Sequence, residues 1–440
     1  MTTAEVVLWG TRVGAVTWRR APDDPRGLGW FEYDPAFVPS GVEVAPLEMP
    51  LPPRGARPVF SFPELRGATF RGLPGLLADS LPDRFGNALI DSWLASRGRT
   101  RDDFDPVQQL CYVGVRGMGA LEYRPAYEFD GAGPATLDVA ELVGLASLAL
   151  TDRSAFATRI SDEGASHAVR DILRVGTSAG GARAKAVVAW NRATGEIRSG
   201  QVDAGAGFEH WMLKFDGVSG NVDHDVSLPL GYGRVEYAYH LMAVDAGIAM
   251  SECRLLEEGG RSHFATRRFD RTSTGDKLHM QTLGAIAHLD YELAGAHSYE
   301  QALEVCRRLA LPAAQREQLV RRAFFNVVAR NQDDHVKNVA FLMDRRGTWS
   351  LAPAYDVTFA FNPSGTWTAR HQMSLAGRTE GFERRDLESF GASADLGRGR
   401  AAAILDEVLA AVRRWPEFAE RGGVTAERAD AIAAAHRLAP

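Results

Sequence analysis

Between Arg330 and Asp356 the chain reads RNQDDHVKNVAFLMDRRGTWSLAPAYD, and this pattern leaves few ways to fold. Val339 to Met343 is an apolar run of strand length, and Trp349 to Ala352 is a second. Between them Asp344 to Gly347 supplies a charged turn with a glycine, so the segment predicts a β-hairpin. Polar and ionisable groups flank it: Asp333, His335, Lys337 and Asn338 before, Asp356 after. Taken alone, Asp333-Asp334-His335 also reads as a solvated turn and Asp356 as a cap.

The spacing gives these groups a chemical meaning. In phosphoryl transfer one aspartate sits near the acceptor hydroxyl, while an asparagine five residues on and a later aspartate hold magnesium. Asp333, Asn338 and Asp356 stand at those intervals. His335 reads as a structural hydrogen-bonding residue and Asp334 as solvent-facing. Upstream, Arg174 to Trp190 is a loop of glycine and small residues, then Lys185 and an apolar strand. Small residues let backbone amides approach a phosphate, although a hairpin turn has the same composition. No lysine-Ser/Thr pair opens a following helix, which excludes a Walker A loop. Glu209 to Asp216 predicts another strand, with Trp211, Leu213 and Phe215 on one face and His210, Met212 and Lys214 on the other. A lysine among apolar strand neighbours needs a partner or an anion, unless it snorkels to the surface. The predicted helix from Arg234 to Gly247 offers Glu236.

The remaining chain is read more coarsely. Residues 5–18 predict two strands joined at Gly10-Thr11, 31–38 another strand, and the six prolines from Pro46 to Pro63 a loop. In LLADSLPDRFGNALIDSW, Leu81-Pro82-Asp83 interrupts a helix that resumes with Phe85, Leu89, Ile90 and Trp93 on one face; Asp79 and Asp83 read as capping and turn residues. Helices are expected over 137–150, 162–173, 281–288, 299–309 and 313–328. Strands are expected over 252–258 and 262–269 about Gly259-Gly260. Residues 361–400 read as loop with short helices, followed by helices from 401 to 415 and after Thr425.

Bulk properties narrow the class. At 440 residues two or three domains are expected. A net charge of −6 without a basic stripe leaves no direct nucleic-acid binding expected. Cys111, Cys253 and Cys306 form no zinc spacing or disulfide framework. The N-terminus does not read as a signal peptide and no membrane span is expected, so a cytoplasmic location is inferred.

SLPDRFGN (80–87), TSAGGARAKA (177–186), HWMLKFDG (210–217), RRFDR (267–271), DDHVKN (333–338) and AYD (354–356) together resemble the HipA family of bacterial serine/threonine kinase toxins. The resemblance covers most of the chain. It implies an α/β (α+β), two-lobed kinase-like fold: an N-terminal β-rich accessory domain (1–130), a sheet-bearing nucleotide lobe (131–271) and a mostly helical catalytic lobe (272–440). It implies Asp333 as the catalytic aspartate and Asn338 and Asp356 as Mg2+ ligands. ATP would be held by Lys214, by the phosphate loop Ser178, Ala179, Gly180, Gly181, Ala182 to Lys185, and by Phe269 at the crossover. Ser178 is implied as an inactivating autophosphorylation site. Implied partners are a helix-turn-helix antitoxin and a protein substrate, in known members an aminoacyl-tRNA synthetase. The chain departs from the family at Ala184, where many members carry proline, and at Arg267, where some carry glutamate. A small-molecule kinase, a divalent-metal phosphohydrolase using Asp333, His335 and Asp356, and a pseudokinase acting through a DNA-binding partner share parts of this pattern.

Overall fold

The computed structural model describes residues 1–21, 24–127, 136–161, 167–176, 183–201, 204–219 and 230–440. Strands β1 (Thr2–Leu8) and β2 (Thr11–Ala21) form the hairpin expected at Gly10, which takes φ 83°. With β3 (Asp24–Tyr33), β4 (Val59–Phe60) and β5 (Leu121–Arg124) they make an antiparallel sheet of order β4-β3-β2-β1-β5. The strand expected over 31–38 stops at Tyr33. There the Asp34 carboxylate accepts the Ala36 N–H at 2.8 Å, an Asx turn that bends the chain out of the ladder.

Three helices lie between β4 and β5: α1 (Gly75–Ala78), α2 (Arg84–Ala95) and α3 (Pro106–Val113). The break between α1 and α2 falls at Leu81-Pro82-Asp83, as the proline dictates. Phe85, Leu89, Ile90 and Trp93 are buried together, but not beneath the first sheet. They join a second core with α4 (Val139–Thr151), α5 (Arg153–Ser161), α6 (His167–Val175) and the lower face of a second sheet, including Ile172, Val188, Trp211 and Leu213.

That second sheet contains β6 (Lys185–Trp190), β7 (Ile197–Ser199), β8 (Glu209–Lys214), β9 (Cys253–Glu258) and β10 (Arg261–Arg267), in antiparallel order β7-β6-β8-β10-β9. Helix α7 (Tyr232–Asp245) packs so closely on it that a Cβ at Gly233 would lie 2.1 Å from the Ser262 carbonyl oxygen. The chain then enters a third, three-stranded sheet through β11 (His279–Thr282). The single helix expected over 281–288 is divided: Gln281 and Thr282 pair with Phe341 and Ala340, and only α8 (Leu283–Ile286) is helical. Thr282 ends the ladder and caps the turn, its hydroxyl accepting the Ala285 N–H.

The short strand β12 (His297–Ser298) leads into α9 (Tyr299–Arg308), which starts at a Ser298/Gln301 capping box. In α10 (Ala313–Val328) the expected stripe of Leu319, Ala323, Phe324, Val327 and Val328 is fully buried. Each large side chain there contributes about 1.5–3 kcal/mol through burial. The predicted hairpin forms as β13 (Ala340–Met343) and β14 (Trp349–Leu351), in the order β11-β13-β14. Strand β15 (Met373–Ser374) pairs parallel with β12, and α11 (Arg384–Ala392), α12 (Arg400–Arg413), α13 (Trp415–Arg421) and α14 (Ala426–Ala435) close the C-terminal half. No helix among the described residues is long and apolar enough to cross a membrane.

Candidate active site

A cleft of about 300 Å³ opens between the second sheet and the third sheet with its helices, and Lys185, Lys214, Phe269, Asp333, Asn338 and Asp356 converge on it. Strand alternation sends Trp211 and Leu213 into the second core and leaves Met212 and Lys214 on the cleft side. The Lys214 ammonium donates to Glu236 Oε1 at 2.5 Å and to Asp356 Oδ1. Glu236 thus pairs with the strand lysine from a position on α7 that is 1% exposed. Lys185 opens β6 directly opposite Lys214 and is buried in the same cleft.

Two ammonium groups therefore face two carboxylates. Burial pushes the Asp356 carboxyl up, but Lys214 and then Lys185 outweigh it and hold the group down at about 2. For Glu236 burial dominates and shifts the carboxyl upward, against the pull of Lys214. Burial would favour neutral Lys214, yet Asp356 and Glu236 keep it an ammonium. Asp356 has φ 51°, in the left-handed region that aspartate tolerates better than most side chains.

Below, Val336–Asn338 forms one 3-10 turn. Asn338 Nδ2 donates to the Asp333 carbonyl at 2.8 Å, which fixes the five-residue interval between them as a closed loop. The Trp367 indole N–H donates to Asp333 Oδ1 at 2.6 Å, aiming the carboxylate. His335 lies beside the Tyr291 ring, with Nε2 4.0 Å from Asp333 Oδ1. Asn331 Nδ2 reaches the Asp356 carbonyl at 3.5 Å, linking the loop to the far end of the hairpin. Asp333, Asn338 and Asp356 all line the cleft.

These donors fit magnesium. Mg2+ is usually held by one or two carboxylates plus substrate phosphates rather than by an all-protein cage. Asp356, kept ionised, and the Asn338 amide offer such an incomplete set, and among the described residues no group of three or more His, Cys, Asp or Glu gathers to offer a complete one. Phe269 lines the cleft just after the crossover, 5.4 Å from the Tyr355 ring. Arg267 lines it as well and pairs with Glu209 at 3.5 Å. Ser178, Ala179, Gly180, Gly181 and Ala182 lie outside the described residues.

Two readings are corrected. Asp334 does not face solvent: it is 2% exposed, and its carboxylate accepts from the Tyr299 hydroxyl at 2.7 Å and the Gln372 N–H at 2.8 Å. Asp79 and Asp83 do more than cap. Asp83 occupies the N-cap position of α2 without a side-chain cap bond and instead accepts from Lys337 Nζ at 2.6 Å. Asp79 receives the Thr282 N–H at 2.7 Å and its hydroxyl at 2.8 Å. SLPDRFGN is thereby a brace for the loop that carries Asp333. Trp367 was not anticipated, because a tryptophan in a Gly/Ser/Thr-rich stretch carries no signal of its partner.

An antiparallel five-stranded sheet with a lysine–glutamate pair, set over a helical half carrying the loop and the aspartate, defines a protein of kinase-like fold. The comparisons give the family. The HipA-like C-terminal domain model matches residues 177–415 and the HipA N-terminal domain model matches residues 4–124. The chain belongs to the HipA-like family. Among solved structures, HipA from the Shewanella oneidensis MR-1 toxin–antitoxin complex of HipA, HipB and operator DNA superposes with a TM-score of 0.66 at 16% identity, covering 98% of this chain and 94% of that one. That likeness is one of fold. A curated relative, Y4mE of Sinorhizobium fredii, whose name gives it as a kinase by inference, is 27% identical over 187 residues, 39% of this chain. The match spans 44% of that relative's length.

Proposed function

We propose that the chain is an ATP-dependent serine/threonine protein kinase and the toxin half of a toxin–antitoxin pair. The observation that carries this reading is the meeting of Lys214, Glu236 and Asp356 with Asp333 and Asn338 on one cleft. Lys214 and Lys185 would hold the phosphates of ATP, and Phe269 would lie against the adenine. Asn338 and Asp356 would hold Mg2+, which when bound neutralises charge on the transferring phosphoryl group. Asp333, aimed by Trp367, would orient the acceptor hydroxyl and take its proton.

The partner proposed is a helix-turn-helix antitoxin, in line with the HipA–HipB pairing of the Shewanella oneidensis relative. A translation protein such as an aminoacyl-tRNA synthetase is the proposed substrate, on family resemblance. Ser178 is proposed as the switch, because a phosphoserine of charge near −2 would be repelled by a bound triphosphate.

Intact-mass measurement after incubation with Mg-ATP tests the scheme. A gain of about 80 Da, one phosphate, lost in both Asp333→Ala and Ser178→Ala, is expected. Gain retained in Asp333→Ala overturns the role of Asp333. Gain retained in Ser178→Ala moves the modified site elsewhere. No ATP binding at all overturns the kinase reading.

A further inference from the structure

Asp334 does not line the cleft, yet its buried carboxylate is held from three sides. Besides Tyr299 and Gln372, its Oδ2 contacts His371 Nδ1 at 2.8 Å. The tautomer of that imidazole follows from its other neighbour. A guanidinium can only donate, and Arg437 Nη1 lies 2.9 Å from His371 Nε2. Nε2 is therefore the acceptor, and Nδ1–H donates to Asp334. Arg437 also donates to the Gln332 side chain and to the Val327 carbonyl, each at 3.0 Å.

A second arm runs the other way. The Tyr299 hydroxyl accepts from Asn326 Nδ2 at 2.9 Å, and Asn326 Oδ1 accepts from Asn331 Nδ2 at 2.9 Å. Asn331 is the residue that reaches the Asp356 carbonyl. Asp334, the residue next to the catalytic aspartate, is thus joined to α9, α10, the 371–372 segment and, through His371, Arg437. Asp333 and Asp334 share a peptide unit, so fixing one carboxylate in the core limits where the other can point.

Resting on the kinase reading above, we propose that Asp334, His371 and Arg437 form a positioning relay that sets the reach of the Asp333 carboxylate toward the acceptor hydroxyl. None of the three lines the cleft, and this separates them from the residues that do.

The test compares the first-order rate of phosphate incorporation at saturating Mg-ATP with the Kd of a non-hydrolysable ATP analogue. In Asp334→Asn an amide NH2 meets at least one of the donors that the carboxylate accepted. The rate should fall about 10- to 100-fold, as expected for a displaced catalytic group, with analogue Kd changed less than about twofold. His371→Asn, whose amide N–H can stand where Nδ1–H stands, should keep a clearly higher rate than His371→Leu. An unchanged rate in Asp334→Asn, or equal rates in the two His371 variants, overturns the relay. Loss of rate and nucleotide affinity in parallel also overturns it, as the mark of a structural role alone. If Asp334→Asn does not fold, Arg437→Met at the outer end decides by the same two measurements. A wild-type chain that binds the analogue but incorporates no phosphate removes the kinase reading itself, and the relay with it.

Discussion

Lys185 and Lys214 stand directly opposite each other on adjacent antiparallel strands, a like-charge pair that a sheet does not ordinarily keep. Glu236 and Asp356 offset it from α7 and from the end of the hairpin. Removing a carboxylate leaves excess positive charge; removing a lysine leaves a buried acid. Lys214→Met should therefore destabilise the protein by about 3–5 kcal/mol, the usual result of stranding one partner of a buried pair. Urea unfolding measures it. Lys214→Met with Glu236→Gln should recover part of the loss, and a purely additive double variant would show that the two side chains are not coupled.

The pH dependence of stability isolates Asp356. Its folded carboxyl sits at about 2, below the ordinary 3.8 expected when unfolded. A depressed acid contributes stability above its unfolded value and loses that contribution as pH falls toward the folded one. Glu236, shifted upward partly by Asp356 itself, contributes with the opposite sign, so the comparison must be between Glu236→Gln and the double variant Glu236→Gln with Asp356→Asn. The Tm difference between them should be constant above pH about 4 and shrink between about 4 and 2. A difference that stays flat to pH 2 would mean that the lysines do not hold this carboxylate ionised.

Asn338 should matter to metal more than to nucleotide. Asn338→Ala should raise the Mg2+ concentration for half-maximal phosphate incorporation about 10-fold or more, in the range seen when metal-site groups are removed. Magnesium titrations at fixed ATP give the number. Because Asn338 also closes the loop onto the Asp333 carbonyl, a fall in the rate at saturating Mg2+ is expected as well.

The Lys337–Asp83 pair joins residues 254 positions apart, with 20% and 17% of the two side chains exposed. A double-mutant cycle of Lys337→Met and Asp83→Asn should give a coupling of about 1–3 kcal/mol, the range for hydrogen bonds to charged groups. A coupling indistinguishable from zero would reduce the SLPDRFGN contact to surface decoration.

What could be read from the sequence was what local chemistry decides. Val339 to Met343 and Trp349 to Leu351 announce a hairpin by length and turn residues, and Lys214 announces a partner because a lysine on a strand needs one. Glu236, on the next predicted helix, was legible as a possible partner, but the pairing itself was not, because it depends on how α7 packs on the sheet. Asp334 was not. Two adjacent aspartates and a histidine look like a solvated turn, and the residues that draw Asp334 inward, Tyr299 and His371, lie 35 and 37 positions away. Asp79 and Asp83 were misread for the same reason, since a cap is a local explanation and Thr282 and Lys337 are distant partners. Residues 281–288 failed differently: Leu283 and Ile286 carry helical spacing, but the ladder with 340–343 claims Gln281 and Thr282 first.

Leu81 packs into the first core and Phe85 into the second, with only Pro82, Asp83 and Arg84 between them. Two-lobed enzymes close on substrate by turning one body against the other about a few residues that absorb the change in backbone angle. A turn of that kind here would bend the chain at this short link, one of several places where it passes between the two cores. Asp83 sits inside the link and grips Lys337, so the catalytic loop is fastened at the link as well as to α9 and the 371–372 segment of the helical half. A turn at this link would draw Lys214 away from Asp356 while leaving the loop of Asp333 seated on its helices.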